Sequence, residues 1–218
     1  MNTNTLTHSI ALRVDVPIAC FRQSHSREYA QTYTVPPPST VYGMLLSLVG
    51  ELKRDRHIGT RLAIGMLSEP QVSTVIRTFR RLKKPDIAAR VNARPDYQEL
   101  LTDIQFVVWV DGRGEQAQAD NLSLPERISQ AFANPSSVNR FGALCLGESR
   151  DLVNEVRLLL PTDSAKTAQW LVKTDQGLLS LPVWVDHVGS RGTRWQRFSL
   201  QNHYCSEPPN HAWVEISK

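Results

Sequence analysis

Three consecutive prolines, Pro36, Pro37 and Pro38, constrain this chain more than any other stretch. Proline has no backbone N–H and holds φ at about −65°, so such a run fits neither a helix interior nor a central strand. It must end the extended segment that reaches Tyr33. Ser39 or Thr40 is then a natural N-cap, and the apolar residues of 41–52 suit a buried helix. Gly43, near the start of that helix, allows close approach of another backbone.

Strands and a second helix arrange themselves around this point. Residues 9–18 alternate, with Ile10, Leu12, Val14 and Val16 on one face. Residues 61–67 and 72–79 read as extended, the latter rich in β-branched side chains. The chain is basic and irregular up to Asp96, and 101–110 is a clear strand closed by the turn Asp111-Gly112-Arg113-Gly114. Ser123 and Glu126 form a capping box for a helix running to about Ala133, where Asn134-Pro135 stops it. A strand over 153–160 follows. The order is strand, helix, strand, long hairpin, strand, helix, strand. It predicts an α+β chain: a ferredoxin-like βαββαβ domain over residues 1–160, including a long basic hairpin at about 71–100. Residues 161–218, with strands at 181–188 and 211–216, read as a C-terminal β extension packed on the same domain.

Composition is that of a folded protein, 41% hydrophobic and 21% charged, which argues against disorder. The longest apolar run, 41–49, is interrupted by Gly43 and Ser47 and is far short of a membrane span. Residues 1–8 carry no basic region or apolar core, so no secretory signal is expected. Cys20, Cys145 and Cys205 are far apart, with no Cys-x-x-Cys pair, which supports neither a zinc ribbon nor a redox motif. Inert thiols in a reducing cytoplasm are the expectation. The net charge is only +4, but 19 of the 25 basic residues are arginine. Arginine presents a planar fork of donors suited to phosphate and stacks on flat rings.

Four segments concentrate binding chemistry. Residues 71–94 carry Arg77, Arg80, Arg81, Lys83, Lys84, Arg90 and Arg94 against one acid, Asp86. So many like charges repel unless an anion neutralises them, which points to a finger on a phosphate backbone; a solvated loop is the alternative. In the second segment Arg22, Gln23, Ser24, His25 and Arg27 lie beside Phe21, Tyr29 and Tyr33. Rings there stack on unpaired bases while the polar groups read edges or phosphates, or else the segment is a polar connector with core aromatics. Arg191, Arg194 and Arg197 recur around Trp195, as in a second nucleic-acid contact, a protein interface or an exposed strand face. Finally, Arg140 and Arg150 flank an apolar run ending at Gly147; no Gly-Lys-Ser/Thr occurs, so this is not a P-loop.

Catalytic patterns are weak. The six histidines show no metal-ligand spacing, and no Gly-x-Ser-x-Gly elbow occurs, so neither metal nor cofactor is expected. His25 with Tyr29 or Tyr33 supplies the residue types for metal-free RNA cleavage, but a histidine in a polar loop more often binds than reacts.

The strand ending at Phe21-Arg22, the signature Pro37-Pro38-Ser39-Thr40-Val41-Tyr42-Gly43, the basic hairpin running into Arg94-Pro95, and Leu146-Gly147-Glu148-Ser149 together resemble the CRISPR-associated Cas-five family of the RAMP superfamily. The likeness covers residues 9 to 160 and is closest to the DevS-like branch. It implies an RNA-recognition-like domain with a thumb hairpin and no catalytic role. Such a subunit caps the 5′ handle of the guide RNA (crRNA) in a type I Cascade complex. It touches a backbone subunit and the large subunit, with target DNA near the flanking motif. By the same resemblance, residues 22–27 with Ser39, Thr40, Tyr42 and Gly43 face the handle, residues 77–94 form the thumb, and Gly147 sits in a glycine loop. One branch of the family is itself an endoribonuclease that processes precursor crRNA, which gives a second reading. A subunit that only bridges proteins is a third. Service in defence or in a transposon-associated complex is not distinguished.

Overall fold

Strand β1 (Ser9–Ala19) follows the alternation of its sequence, with Leu12, Val14 and Val16 turned fully into the core. The computed structural model describes residues 8–26, 29–80, 83–115, 122–188 and 191–218. After β1 come β2 (Tyr29–Ala30), helix α1 (Pro38–Leu48), β3 (Arg61–Met66), β4 (Gln71–Arg80) and β5 (Ala93–Asp111). Helix α2 (Leu124–Ala133), β6 (Glu155–Leu158) and the short α3 (Pro161–Ser164) follow. The chain finishes with β7 (Thr167–Lys173), β8 (Leu179–Trp184), β9 (Arg194–Tyr204) and β10 (Val214–Glu215). The ten strands among the described residues join a single sheet of a mixed α/β arrangement, of order β6-β1-β5-β3-β7-β9-β8; β10 pairs with β3, and β2 and β4 pair with β5. Every pairing is antiparallel except β2 with β5.

Apolar side chains cluster on both sheet faces. On one, α1 and α2 bury Val41, Leu45, Leu124 and Ile128 against Ile104, Phe106 and Val108 of β5. On the other, Trp170 and Ala168 of the neighbouring β7 pack beside Ala63 and Val107. Gly65 of β3 makes this possible, since a Cβ there would come within 3.0 Å of the Trp170 ring. Among the described residues no helix is long and apolar enough to cross a membrane. Cys20 and Cys205 are buried and Cys145 partly so; burial raises the first two thiols above the ordinary range.

Several local expectations shift. Helix α1 starts at Pro38 with Pro37 as its N-cap, so Ser39 and Thr40 sit inside the first turn and neither caps it. The proline at the first helical position is already preset in φ, and the Pro37 carbonyl accepts the Thr40 and Val41 N–H groups at 2.9 and 3.0 Å. The helix stops at Leu48 because Gly50, at φ 67°, ends it in the left-handed conformation. At α2 the Glu126 carboxylate accepts the Ser123 N–H at 2.7 Å and its hydroxyl at 2.8 Å. Strand β5 begins eight residues before the expected 101, so the basic segment is a regular ribbon whose register runs from Gln71↔Thr102 to Arg80↔Ala93. The expected strands at 153–160, 181–188 and 211–216 are shorter, and β7 is a strand that alternation did not signal.

The ribbon leaves the sheet at Asp103, the one described non-glycine residue with positive φ, 57°. Before it β5 pairs with β4; beyond it β5 pairs with β3 from Phe106 onward. Its carbonyl accepts the Ser68 hydroxyl at 2.5 Å, and that hydroxyl oxygen accepts the Gln105 N–H at 2.9 Å.

Asp163 pins the start of the C-terminal strands to β1 and β6. Its buried carboxylate accepts Arg157 Nη1 at 2.6 Å, Arg13 Nη1 at 3.1 Å and the Leu160 N–H at 3.0 Å. The Arg157 hydrogen bonds hold it well below the usual carboxylate range, against the opposing effect of burial. Burial raises Asp111 as well, but hydrogen bonds from Arg113 and Arg61 outweigh it and bring Asp111 down to about 2. Groups so depressed stabilise the fold above the unfolded carboxylate pKa of about 3.9, and that stability is lost as pH falls through the folded values. The urea midpoint should therefore drop steeply from about pH 4 downward. Asp163→Asn should lower stability at pH 7 by about 1.5–3 kcal/mol and make the acid loss shallower. Unfolding titrations at pH 7 and pH 3 check both.

Candidate nucleic-acid interface

The basic ribbon is held in shape by a residue that charge counting passes over. Asn92 is buried at the tip of β4–β5. Its Oδ1 accepts the Lys83 and Lys84 N–H groups at 2.8 and 3.0 Å, and its Nδ2 donates to the Lys84 and Asp86 carbonyls at 3.0 and 2.7 Å. Four bonds to one amide fix the loop from which Lys83 and Lys84 project, and Arg80 and Arg90 are exposed beside it. Arg81 lies outside the described residues, as does Arg27 of the earlier loop. Arg94 is engaged by buried Asp96 at 3.2 Å, an acid just beyond the segment that the charge count covered. Arg77 points to the opposite end of the ribbon, toward Glu148.

Residues 21–26 and 29–33 form the two sides of a tight excursion. Arg22 and Thr32 make an antiparallel bridge, Gln23 N–H reaches the Gln31 carbonyl at 2.9 Å, and Tyr33 N–H reaches Phe21 at 2.8 Å. Phe21 is core. Arg22 is exposed, and its guanidinium donates to the Ser26 carbonyl at 3.0 Å. At one end, β2 lays Tyr29 beside Tyr97, ring centroids 6.2 Å apart, and Tyr97 is 52% exposed. Ile76 faces Tyr97 in the register of the ribbon, so this side of the hairpin root is an exposed aromatic and aliphatic surface.

At its other end the excursion forms a cleft of about 320 Å³. Gln23, Ser24, His25 and Tyr33 line one side; Leu178, Leu179, Ser180 and Trp195 line the other. The Gln23 amide is oriented by donating to the Thr32 carbonyl at 3.0 Å. Burial raises the Tyr33 phenol above its ordinary range, so it stays a neutral hydroxyl. Trp195 is 44% exposed on β9. The cleft thus joins two of the sequence candidates, more than 150 residues apart, through strands β8 and β9. An aromatic wall with amide, hydroxyl and imidazole groups around it suits a planar ligand with polar edges.

Other candidates fall elsewhere. Tyr42, placed at the handle by resemblance, is instead core: helical spacing puts it with Val41 and Leu45, and its hydroxyl donates to the Arg54 carbonyl at 2.7 Å. Ser39 is likewise buried and Thr40 partly so, leaving Gly43 as the exposed member of that set, with nothing within 4 Å of where a Cβ would stand. Arg194 is turned away from the cleft, donating to the Ser217 hydroxyl at 3.0 Å and the Lys218 carbonyl at 2.6 Å. Arg197 donates to the Asp175 carbonyl at 3.2 Å, and Arg191 is exposed in the preceding turn. A strand turns its side chains every second residue, so a spacing of three cannot gather these arginines on one face.

Gly147 has φ 108°, and a Cβ there would lie 2.8 Å from Asp151 Oδ2 and 2.9 Å from the Cys20 carbonyl. The following N–H, of Glu148, already donates to Asp151 Oδ2 at 2.8 Å, so this glycine turn wraps an internal carboxylate in place of a phosphate. Arg150 lies against Glu148 and donates to Gln98 Oε1 at 2.8 Å. Arg140 is exposed beside a separate groove between the helices that includes Leu48 and Phe132.

The sequence matches the family model described as CRISPR-associated protein (Cas_Cas5) over residues 9–137. It is 46% identical over 189 residues to the CRISPR-associated protein Cas5 of Myxococcus xanthus (strain DK1622), covering 86% of this chain and 87% of that one. Its fold is similar to a chain of a solved CRISPR RNA-guided surveillance complex, with TM-score 0.58 at 15% identity over 93% of this chain and 95% of the other. A crystal structure of a Cas protein aligns with TM-score 0.50 at 14% identity, over 89% and 94%. Motif, family match and curated relative agree: the chain belongs to the CRISPR-associated Cas5 family.

Proposed function

We propose that this chain is an RNA-binding structural subunit of a type I CRISPR surveillance complex that caps the 5′ handle of the crRNA and does not cut it. The observation that carries the reading is the cleft between Gln23, Ser24, His25 and Tyr33 on one side and β8–β9 on the other, on an excursion whose opposite end sets Tyr29 against Tyr97 of the basic ribbon. Single-stranded RNA is held by a combination of stacking surfaces and cations along its backbone. This surface offers Trp195 for stacking and Arg80, Lys83, Lys84 and Arg90 for phosphates. The fold likeness to a chain of an RNA-guided surveillance complex supports the same setting, with a backbone subunit and the large subunit as neighbours. The strand order β6-β1-β5-β3, with α1 and α2 on one face, supports reading the first part as the ferredoxin-like unit of RAMP proteins.

The second reading has its own observation: His25 and Tyr33 line the same cleft. One experiment separates the two. The purified chain is incubated with labelled repeat RNA and EDTA, then run on native and denaturing gels. Capping gives a shifted, intact RNA; a discrete cut with a 2′,3′-cyclic phosphate, lost in His25→Ala, makes the chain a nuclease.

If the chain caps RNA, Trp195→Ala should weaken binding by about 1–3 kcal/mol, while Arg80→Ala should reduce the slope of log K against log salt by about 0.7. Asn92→Ala should weaken binding through loss of the ordered tip, yet leave the urea midpoint nearly unchanged, because no described residue of the tip belongs to the apolar core. Salt-series binding and urea unfolding on the same preparations check these outcomes.

A further inference from the structure

We infer that Arg77 and Arg150 form an oxyanion subsite at the root of the basic ribbon, in which the Glu148 carboxylate of the free chain stands where a phosphodiester of bound RNA will sit. This inference rests on the RNA-binding reading and assigns one of its contacts.

Arg77 is the starting point. Its side chain is only 25% exposed, and its Nη1 has neither solvent contact nor a hydrogen-bond partner. A buried donor left unmade is costly, and native structures rarely keep one without a reason. The anion in front of it, Glu148 Oε2, is 3.8 Å away, beyond hydrogen-bond reach. That oxygen is already held by Arg150 Nη2. The other oxygen, Oε1, accepts Gln98 Nε2 at 3.1 Å. One carboxylate therefore serves Gln98 and Arg150 and falls short of Arg77.

Gln98 is fully buried on β5 and makes the floor of the site, since it also accepts Arg150 Nη2 at 2.8 Å. The two guanidinium groups are thus presented from different elements, β4 and the turn after Gly147, around a single anion. The two non-bridging oxygens of a phosphodiester stand farther apart than those of a carboxylate and project tetrahedrally, so one group can meet both forks at once.

The neighbouring acids differ in what holds them. Asp151 is 4.0 Å from Arg150, but its carboxylate is buried and committed to the Cys20 and Glu148 N–H groups, each at 2.8 Å. Asp96 is buried and engaged by Arg94. The Glu148 carboxylate is held by the Gln98 and Arg150 side chains, is 32% exposed and is mounted on a turn, so it can swing out as an RNA oxygen enters. With Glu148 in place the charges of Arg77, Arg150, Glu148 and Asp151 balance, and the site presents no net field to solvent. With it displaced, Asp151 still offsets one guanidinium, and a ribbon that carries Lys83, Lys84 and Arg90 at its far end gains one net positive charge at its near end.

The test is Glu148→Gln in the full chain, which keeps the shape and removes the competing charge. It should bind repeat RNA roughly three- to tenfold tighter than wild type at low salt. Adding Arg77→Gln should abolish that gain, whereas adding Arg80→Ala should weaken both backgrounds by the same factor. Unchanged or weaker binding by a normally folded Glu148→Gln variant would overturn the subsite and leave Glu148 as a structural contact. Should wild type bind no RNA, the capping reading itself fails, and the subsite is then read with inorganic phosphate. Phosphate should raise the thermal midpoint of Glu148→Gln more than that of wild type, and no longer do so with Arg77→Gln. Absence of that difference would dismiss the subsite independently. Glu148→Ala, measured in parallel, guards against a glutamine that simply retains the old contacts.

Discussion

Strand β5 runs without a break from Ala93 to Asp111, and along that length its backbone is shared among β1, β3, β4 and β2. Its second half is the centre of the sheet, where Ile104, Phe106, Val108 and Val110 are wholly buried under the helices. Its first half is one arm of the basic ribbon. Of the side chains that meet RNA in the proposed function, Arg80 stands on β4, and Lys83, Lys84 and Arg90 stand on the tip beyond it, so the strand that organises the core positions them by pairing with β4. A loop would leave such groups mobile, whereas a ladder of backbone hydrogen bonds carries the order of the sheet outward. Asp103 marks where the two roles meet, and its left-handed backbone allows the strand to change partners without ending.

The last third of the chain contributes as much to the candidate site as the first. Strands β7 to β9 extend the sheet beyond β3, and β8–β9 bring Ser180 and Trp195 to the loop at 23–25. The buried Asp163 cluster fastens this part to Arg13 of β1 and Arg157 of β6. Trp109 and Trp170 donate from the sheet to the Cys205 and His203 carbonyls, both at 3.3 Å, so the outer face is tied by polar as well as apolar contacts.

Local chemistry in the sequence was readable where it acts locally. The alternation of Ile10 to Val16, the Ser123–Glu126 box and the one-signed run from Arg77 to Arg94 each express a short-range rule, and each has its counterpart in β1, α2 and the ribbon. The signature around Pro37 located the family, but not the direction of its side chains. Tyr42 follows the period of 3.6 into the core, and only Gly43 of that group faces outward with open space around it. The cleft was hidden because its walls meet only through tertiary pairing. So was the role of Asn92, an uncharged residue among cations, and the pairing of Glu148 with Arg77 across β5. Arginine counting overstated the field of the ribbon, since Arg77 and Arg94 face acids that lie outside the counted window.

The continuity of β5 also has a mechanical side. If the ribbon tip holds RNA as proposed, a pull on that RNA runs along the axis of a strand whose partners, β1 and β3, lie antiparallel on either side over Phe106 to Asp111. In that geometry the ladder is loaded in shear, with its hydrogen bonds perpendicular to the force and stretched together, not opened one at a time as at a peeled edge. In the proposed function, the grip on an RNA under tension is thereby anchored in the middle of the sheet, where the ladder has a partner on both sides.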